Sequence, residues 1–178
     1  MFATLAKVAA LKEDTIPATA ARDFYSGITL GWIQQDIHTE MATCFPDDDA
    51  LNQALDAYMA DLEGGDMDKA QDDLKTMTDA YETDIQACWN VDAIKTAVET
   101  MSKIVDDFKA QDDWESIMKQ NIEDNQHTLE GINTQMLQAY DHELYLQAGM
   151  LGGQADQILF KMPDSLTGPD TDDPASTF

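Results

Sequence analysis

The only two cysteines of this chain, Cys44 and Cys88, enclose a segment whose apolar residues recur every three or four positions. That period is typical of one face of an α-helix, and it never changes to the two-residue alternation of a half-buried strand. A glycine pair at 64–65 interrupts the pattern and marks a turn. The segment therefore predicts a helical hairpin, with helices over residues 51–63 and 66–88.

Acidic residues are placed to begin both helices of this hairpin. Asp47 and Asp66 each precede an apolar periodic run, and an Asp side chain at this position accepts hydrogen bonds from the free amides of the first turn. The favourable interaction of a carboxylate with the helix dipole adds to this preference. We therefore predict that both residues are N-caps.

The hairpin returns the chain to the end of the bundle at which it entered. If the residues before Cys44 are helical too, the sulfurs of Cys44 and Cys88 lie at the same end, where a disulfide is feasible. In the chain-entropy model, closing a loop of about 45 residues stabilises by about 4 kcal/mol. The alternative is two buried free thiols, which behave as small apolar side chains. The matching ends favour the disulfide.

The helical period continues on both sides of the hairpin. Thr19 could cap a helix that runs down to Cys44. After the hairpin, a helix begins at Asn90 or Asp92 and extends to a break at residues 111–113.

A last periodic stretch runs from Trp114 without proline until Pro163. As one helix it would be about 70 Å long, which is too long for its partners. We therefore expect a turn in it, at Asp141-His142 in preference to Gly131.

Together these segments predict an all-α protein, an antiparallel bundle of about five to seven helices with one disulfide. A single domain spans residues 1–162, in which residues 1–14 form a short amphipathic helix. Residues 163–178 hold three prolines and four aspartates. Such a composition cannot bury a core, so we predict a flexible acidic tail.

Two pairs of glycines lie four residues apart in predicted helices: Gly27 with Gly31, and Gly149 with Gly153. Glycine costs about 1 kcal/mol in a helix interior, so each pair needs a physical reason. Small residues one turn apart let a second backbone approach closely. We interpret both pairs as helix-packing residues; a notch facing a ligand is the alternative.

The charge excludes several classes of partner. The chain has 35 acidic and 10 basic residues and a net charge of −25. Such a surface repels nucleic acid phosphates and anionic membranes. This acidic surface either solubilises the protein or binds divalent cations with low affinity. A specific calcium site is not predicted, because the stretch from Asp61 to Asp73 lacks the ligand spacing of an EF-hand loop. No apolar run is long enough to span a membrane.

No catalytic, cofactor or specific metal site is predicted. Asp124 and His127 imitate one carboxylate-x-x-His step of a di-iron bundle, which needs two such steps. The residue three positions before His142 is Ala139, so the second step is missing, and Glu40 lies two residues after His38, off the same helix face. Nucleophile and phosphate-loop motifs are absent as well. We therefore expect the protein not to be an enzyme.

These features resemble a group of secreted, acidic, helical proteins with two cysteines from ciliate protists. The matching residues are Phe24-Tyr25-Ser26-Gly27 with Gly31, Cys44, Gly64 to Asp66, Cys88, Asn121 with Asn125, and Tyr145-Leu146-Gln147-Ala148-Gly149 with Gly152 and Gly153. The resemblance implies secretion and a disulfide. It implies no activity, because none is established for the group.

The preferred function is that of a secreted structural or assembly protein. It would associate with itself, or with other proteins, after divalent cations neutralise its acidic surface. A first alternative is a carrier of a lipid or pigment between methionine-rich helix faces, at Met59, Met67, Met77, Met101, Met118, Met136 and Met150. A second alternative is a granule matrix protein that binds calcium with low affinity. If the protein is secreted, we expect that its leader has been removed or that the numbering starts after it.

Overall fold

The computed structural model describes residues 16–46 and 49–162, apart from the side chain of Met67. These residues form seven α-helices and one 3-10 helix, with no strand among them. The helices are α1 (Ala20–Ile33), α2 (His38–Cys44), α3 (Asp49–Gly64), α4 (Met67–Asp84), the 3-10 helix (Ile85–Cys88), α5 (Asp92–Lys109), α6 (Trp114–Asp141) and α7 (Tyr145–Leu159). The predicted all-α fold is confirmed. The predicted helix at 1–14, the N-cap Asp47 and the tail at 163–178 lie outside the described residues.

Helix α1 is the central element of the fold. Its buried residues lie on every side of it: Ala20, Ala21, Phe24, Tyr25, Ser26, Gly27, Thr29 and Gly31. Helix α7 makes the most extensive contact with it, while α2, α3 and α5 cover other faces. The buried hydroxyls of Ser26 and Thr29 donate to backbone carbonyls one turn earlier in α1. Such bonds allow polar side chains to be buried without loss of a partner.

The prediction of one helix from Thr19 to Cys44 is wrong. Helix α1 ends at Ile33, and Gln34 adopts the left-handed conformation with a φ of 57°. The backbone N–H of His38 then donates to Asp36 Oδ1 at 3.0 Å where α2 begins. This break places Ile37 in the core, where it is completely buried. An apolar period alone does not reveal such a break, because both pieces keep the same spacing.

The predicted hairpin is present as α3 and α4. Gly65 has a φ of 73°, in the region that glycine enters without steric cost, and Asp66 Oδ1 accepts from the backbone N–H of Lys69 at 3.2 Å. Helix α4 is shorter than predicted, because its last turn becomes the 3-10 helix Ile85–Cys88. Farther on, α6 ends at Asp141, which confirms the expected turn there.

The disulfide between Cys44 and Cys88 is present, with 5.1 Å between the two Cα atoms. It joins the end of α2 to the end of the 3-10 helix. Cys88 is completely buried, and Cys44 is half-buried beside the core. The disulfide therefore links the chain just before the hairpin to the chain just after it, at the end of the hairpin opposite the turn at Gly65.

Candidate functional site

The hairpin of residues 49–84 carries a large net negative charge and is called here the acidic hairpin. It contains eleven Asp or Glu residues and two lysines. Helix α4 packs mainly on α3, so most of its described side chains face solvent; Ala70 and Met77 are the buried ones. The acidic hairpin therefore presents a long, weakly neutralised carboxylate surface.

The inner end of the acidic hairpin is fixed to α1 by aromatic packing. The rings of Tyr25 and Tyr81 stack with centroids 3.8 Å apart and planes at 17°. The hydroxyl of Tyr25 donates to the carbonyl of Met77 at 3.3 Å, and Phe45 lies beside Tyr81. Burial raises the pKa of Tyr81, so this phenol stays neutral at physiological pH. The outer end, near Gly65, has no such anchor among the described residues.

Near that outer end, three charged residues form a cluster across α3 and α4. Lys69 Nζ lies 2.8 Å from Asp61 Oδ1 and forms an ion pair with the same carboxylate. Asp73, on α4, is near enough to Asp61 for the two carboxyl groups to influence each other's pKa. The hydrogen bond from Lys69 lowers the pKa of Asp61, whereas the neighbouring Asp61 carboxyl raises the pKa of Asp73. The two carboxyl groups therefore differ in proton affinity.

Two further carboxyl groups, Asp156 on α7 and the exposed Asp56 on α3, interact with tyrosines. Burial raises the pKa of Asp156, on α7, to about 7. Burial and then the charge of Asp156 raise the pKa of Tyr58 to about 12. Asp56 Oδ1 accepts a hydrogen bond from the hydroxyl of Tyr140 at 3.0 Å. These acids contribute to the contacts among α3, α6 and α7.

The structure brings all four predicted packing glycines together at the contact of α1 and α7. A Cβ atom on Gly27 would overlap the carbonyl of Leu146, and one on Gly149 would overlap that of Phe24. Gly31 and Gly153 face backbone of the opposite helix in the same way. The two backbones therefore touch directly, and backbone atoms fill the space that a notch for a ligand would need.

The three histidines that were weighed as metal ligands and set aside lie apart from one another. No group of three or more metal-ligating side chains occurs in residues 16–46 and 49–162. His127 and His142 are exposed on α6 and just after it. His38 Nε2 lies 3.1 Å from Asp23 Oδ1, which is one hydrogen bond and not a ligand set.

Most of the methionines predicted to face inward do so to some degree. Met59, Met77 and Met136 are buried in the core, together with Met41. Three others are half-buried: Met101, Met118 and Met150. These side chains pack against other core residues, which is the usual use of methionine.

A polar cleft of about 490 Å³ lies between α6 and the end of α7. Its lining includes Ser116, Gln120 and Lys161. Asn121 Nδ2 donates to the carbonyls of Leu159 and Lys161, at 3.0 and 2.9 Å, so this side chain closes the end of α7. The cleft is polar and open, unlike the apolar space that a lipid would occupy.

Sequence reasoning missed the proximity of Asp61 and Asp73. Acidic residues occur throughout the chain, so the identity of these two gives no signal. Their proximity depends on the rotation of α4 about its own axis, which the apolar spacing fixes only coarsely.

Comparison of the chain with models of protein families, with curated proteins and with solved structures finds no match. In the described part of the chain, each helix is too short or too polar to cross a membrane. Fold and surface define an all-α protein with one disulfide and a strongly acidic exposed hairpin.

Proposed function

We propose that this is a secreted, non-enzymatic structural protein that assembles with copies of itself when divalent cations neutralise the acidic hairpin. The material it forms would be extracellular or stored in granules. Low-affinity calcium binding is part of this proposal, because the bound ions would reduce the repulsion between copies.

The exposed carboxylate surface of the acidic hairpin is the observation that carries the proposal. Two lysines accompany eleven acidic residues there, and one of them, Lys69, is already paired with Asp61. Like-charged surfaces repel one another at low ionic strength, and multivalent cations remove that repulsion. Carboxylate oxygens are also the ligands that calcium prefers.

The disulfide supports the proposed location. Disulfides persist in oxidising compartments and are rare in the cytosol of most organisms. Cys44 and Cys88 close a 44-residue separation in the sequence, and neither belongs to a CxxC redox motif. A stabilising crosslink of this kind is typical of secreted proteins.

Light scattering during a calcium titration tests the proposal. We expect the particle size to grow as calcium rises to millimolar concentration, and to return to its starting value when a chelator is added. Potassium at matched ionic strength is the control for simple screening. An unchanged particle size throughout the calcium titration would contradict self-association.

Two matched variants test whether the acidic hairpin is responsible. The first neutralises four exposed hairpin residues, Glu63→Gln, Asp68→Asn, Asp79→Asn and Glu82→Gln. The second removes the same charge from exposed residues elsewhere, Asp106→Asn, Asp112→Asn, Asp113→Asn and Glu115→Gln. The hairpin variant should lose the response to calcium, and the other should keep it. Equal responses would assign the effect to net charge alone.

A further inference from the structure

The polar cleft of about 490 Å³ lies where α7 ends beside the longer helix α6. Helix α7 ends at Leu159, close to Asn121 of α6, whereas α6 itself begins at Trp114, about two turns before Asn121. The volume of the cleft falls within the range of ~300–1,000 Å³ that is usual for pockets that hold small molecules. The cleft is therefore large enough for a ligand of that size.

The wall of the cleft on α6 is a row of polar side chains. Ser116, Gln120 and Asp124 follow one another at steps of four residues, and Asn121 and Asn125 form the neighbouring row. Positions four apart lie on one face of a helix, so these groups point to the same side of α6. A helix also positions side chains more precisely than a loop does.

The opposite wall of the cleft is Lys161 with Met162, directly after α7. Asn121 Nδ2 donates to the carbonyls of Leu159 and Lys161 and so holds this wall against α6. Hydrogen bonds within the protein therefore set the spacing of the two walls before any ligand binds. Such preorganisation lowers the entropic cost of binding.

Several polar groups of the cleft have unused hydrogen-bonding capacity. The hydroxyl of Ser116 and the ammonium group of Lys161 have no partner among the described residues. Gln120 and Asn125 use their amide nitrogens, toward Asp124 Oδ1 at 2.7 Å and a backbone carbonyl of α6 at 2.9 Å. Both amide oxygens remain free in the described structure. The cleft therefore offers donors and acceptors together.

The charges of the cleft favour a neutral ligand. Among the described residues that line it, Asp124 and Lys161 carry opposite charges that cancel. The net charge of −25 on the chain repels anions, and the ammonium group of Lys161 disfavours a cation beside it. An apolar ligand would remove water from the polar groups without replacing its hydrogen bonds. A neutral molecule with several hydroxyl groups fits, because each hydroxyl both donates and accepts.

We propose that this cleft binds a neutral carbohydrate. Hydroxyl groups of a sugar ring bind to Gln120, Asp124 and Lys161. The apolar side chains of Ile117 and Met162 line the same cleft and contact C–H groups of the ring. Because the cleft is open and buries only part of a ligand, the affinity lies in the millimolar range. This inference does not depend on self-association, since the cleft lies outside the acidic hairpin.

Amide NMR of the full ¹⁵N-labelled chain in calcium-free buffer tests binding. The probes are glucose, galactose, mannose and N-acetylglucosamine, and glycerol is the control for a general effect of polyols. At least one sugar should shift the signals of residues 116–125 and 161–162 and reach saturation at millimolar concentration, whereas glycerol should not. If no sugar gives a saturable shift up to tens of millimolar, or if glycerol gives the same shift, the proposal is overturned.

Two matched double variants test whether the sugar binds in the cleft. Gln120→Ala/Asp124→Ala removes a hydrogen-bonded pair inside it, and Gln126→Ala/Glu130→Ala removes the equivalent pair outside it on the same helix. All four side chains are exposed, so both variants should fold. The first should weaken binding about tenfold, as the loss of one or two hydrogen bonds predicts, and the second by less than about twofold. Equal effects would refute binding in the cleft.

A charge-removing variant and added salt test whether the ligand is neutral. Asp124→Asn keeps an oxygen acceptor without the charge, so it should retain sugar binding. Potassium chloride should leave the affinity unchanged, because screening acts only on charges. Glycine, a zwitterion, should not displace the sugar. Loss of binding in Asp124→Asn, or displacement by glycine, would mean that the cleft recognises charge and would exclude the carbohydrate, whatever the calcium response of the acidic hairpin.

Discussion

Asn52 of α3 holds the first turn of α1 from outside that helix. Its Oδ1 accepts a hydrogen bond from the backbone N–H of Ala21 at 2.8 Å, and its Nδ2 donates to the carbonyl of Ala18 at 2.9 Å. The side chain is almost completely buried. Thr19 occupies the N-cap position itself but forms no side-chain cap bond. The cap of the central helix is therefore a tertiary contact.

Replacing this cap should destabilise the fold measurably. Asn52→Ala leaves the Ala21 amide and the Ala18 carbonyl without their buried partner, and such losses cost about 1 to 3 kcal/mol. Denaturant unfolding followed by circular dichroism measures the change. Gln53→Ala, at the next and exposed position, should stay within about 0.5 kcal/mol of wild type. A loss no larger than that of Gln53→Ala would mean that water replaces the cap.

Substitution by alanine should destabilise the protein at a glycine in the contact of α1 and α7, and should stabilise it at a glycine that faces open space. Gly149→Ala would press a methyl group into the Phe24 carbonyl, and overpacking of this kind costs about 1 to 3 kcal/mol or more. Gly131→Ala, on α6, meets no atom within 4 Å. There the better helix propensity should stabilise by about 0.5 to 1 kcal/mol. Thermal unfolding of both variants checks the sign, and two changes of equal sign would contradict the backbone contact.

The sequence predicts turns and helix caps well where they depend on residues that are close together in the chain. The turn after Asp141 and the cap at Asp66 follow from spacing and residue type alone. The break at Gln34 and the cap by Asn52 do not, because each depends on what lies next to the residue in the folded chain. Helix α1 ends at Ile33, four residues before the buried Ile37, and its first turn is capped by a residue more than thirty positions away. Helix propensity depends on the residue itself and its neighbours in the sequence, so it does not predict contacts with distant residues.

The proposed site follows the same division. Net charge and the glycine pair at 64–65 predict an acidic helical hairpin. The proximity of Asp61 and Asp73 depends on how both helices are rotated about their axes, which composition does not determine. The arrangement of these charged groups is therefore visible only in three dimensions.

Removal of the disulfide should weaken the whole bundle. Cys44 and Cys88 are 44 positions apart, and a loop of this length corresponds to about 4 kcal/mol in the chain-entropy model. The Cys44→Ala/Cys88→Ala variant should therefore unfold at a lower denaturant concentration. A reductant should shift the wild-type protein in the same direction and leave the double variant unchanged. Equal stability with and without the bond would show that the unfolded chain already holds these ends together.

Deprotonation of Asp156 should reduce stability toward neutral pH. Its pKa is about 7 in the folded protein because burial disfavours the carboxylate, whereas an unfolded aspartate titrates near 3.9. The folded state binds the extra proton, so this stabilisation is complete below about pH 4 and is lost as pH rises through about 7. Because the side chain is only half-buried, we expect Asp156→Asn to raise the free energy of unfolding at pH 8 by about 2 kcal/mol, and by less at pH 5.

The exposed acid Glu115 provides the control for this effect. Glu115→Gln removes one negative charge without changing a buried group, so it should alter the free energy of unfolding by no more than about 0.5 kcal/mol at either pH. Denaturant unfolding of the three proteins at pH 5 and pH 8 supplies the comparison. If Asp156→Asn and Glu115→Gln have the same effect at pH 8, the gain comes from relief of net charge. If only Asp156→Asn raises the free energy of unfolding at pH 8, the gain comes from removing the desolvation cost of this one carboxyl group on α7.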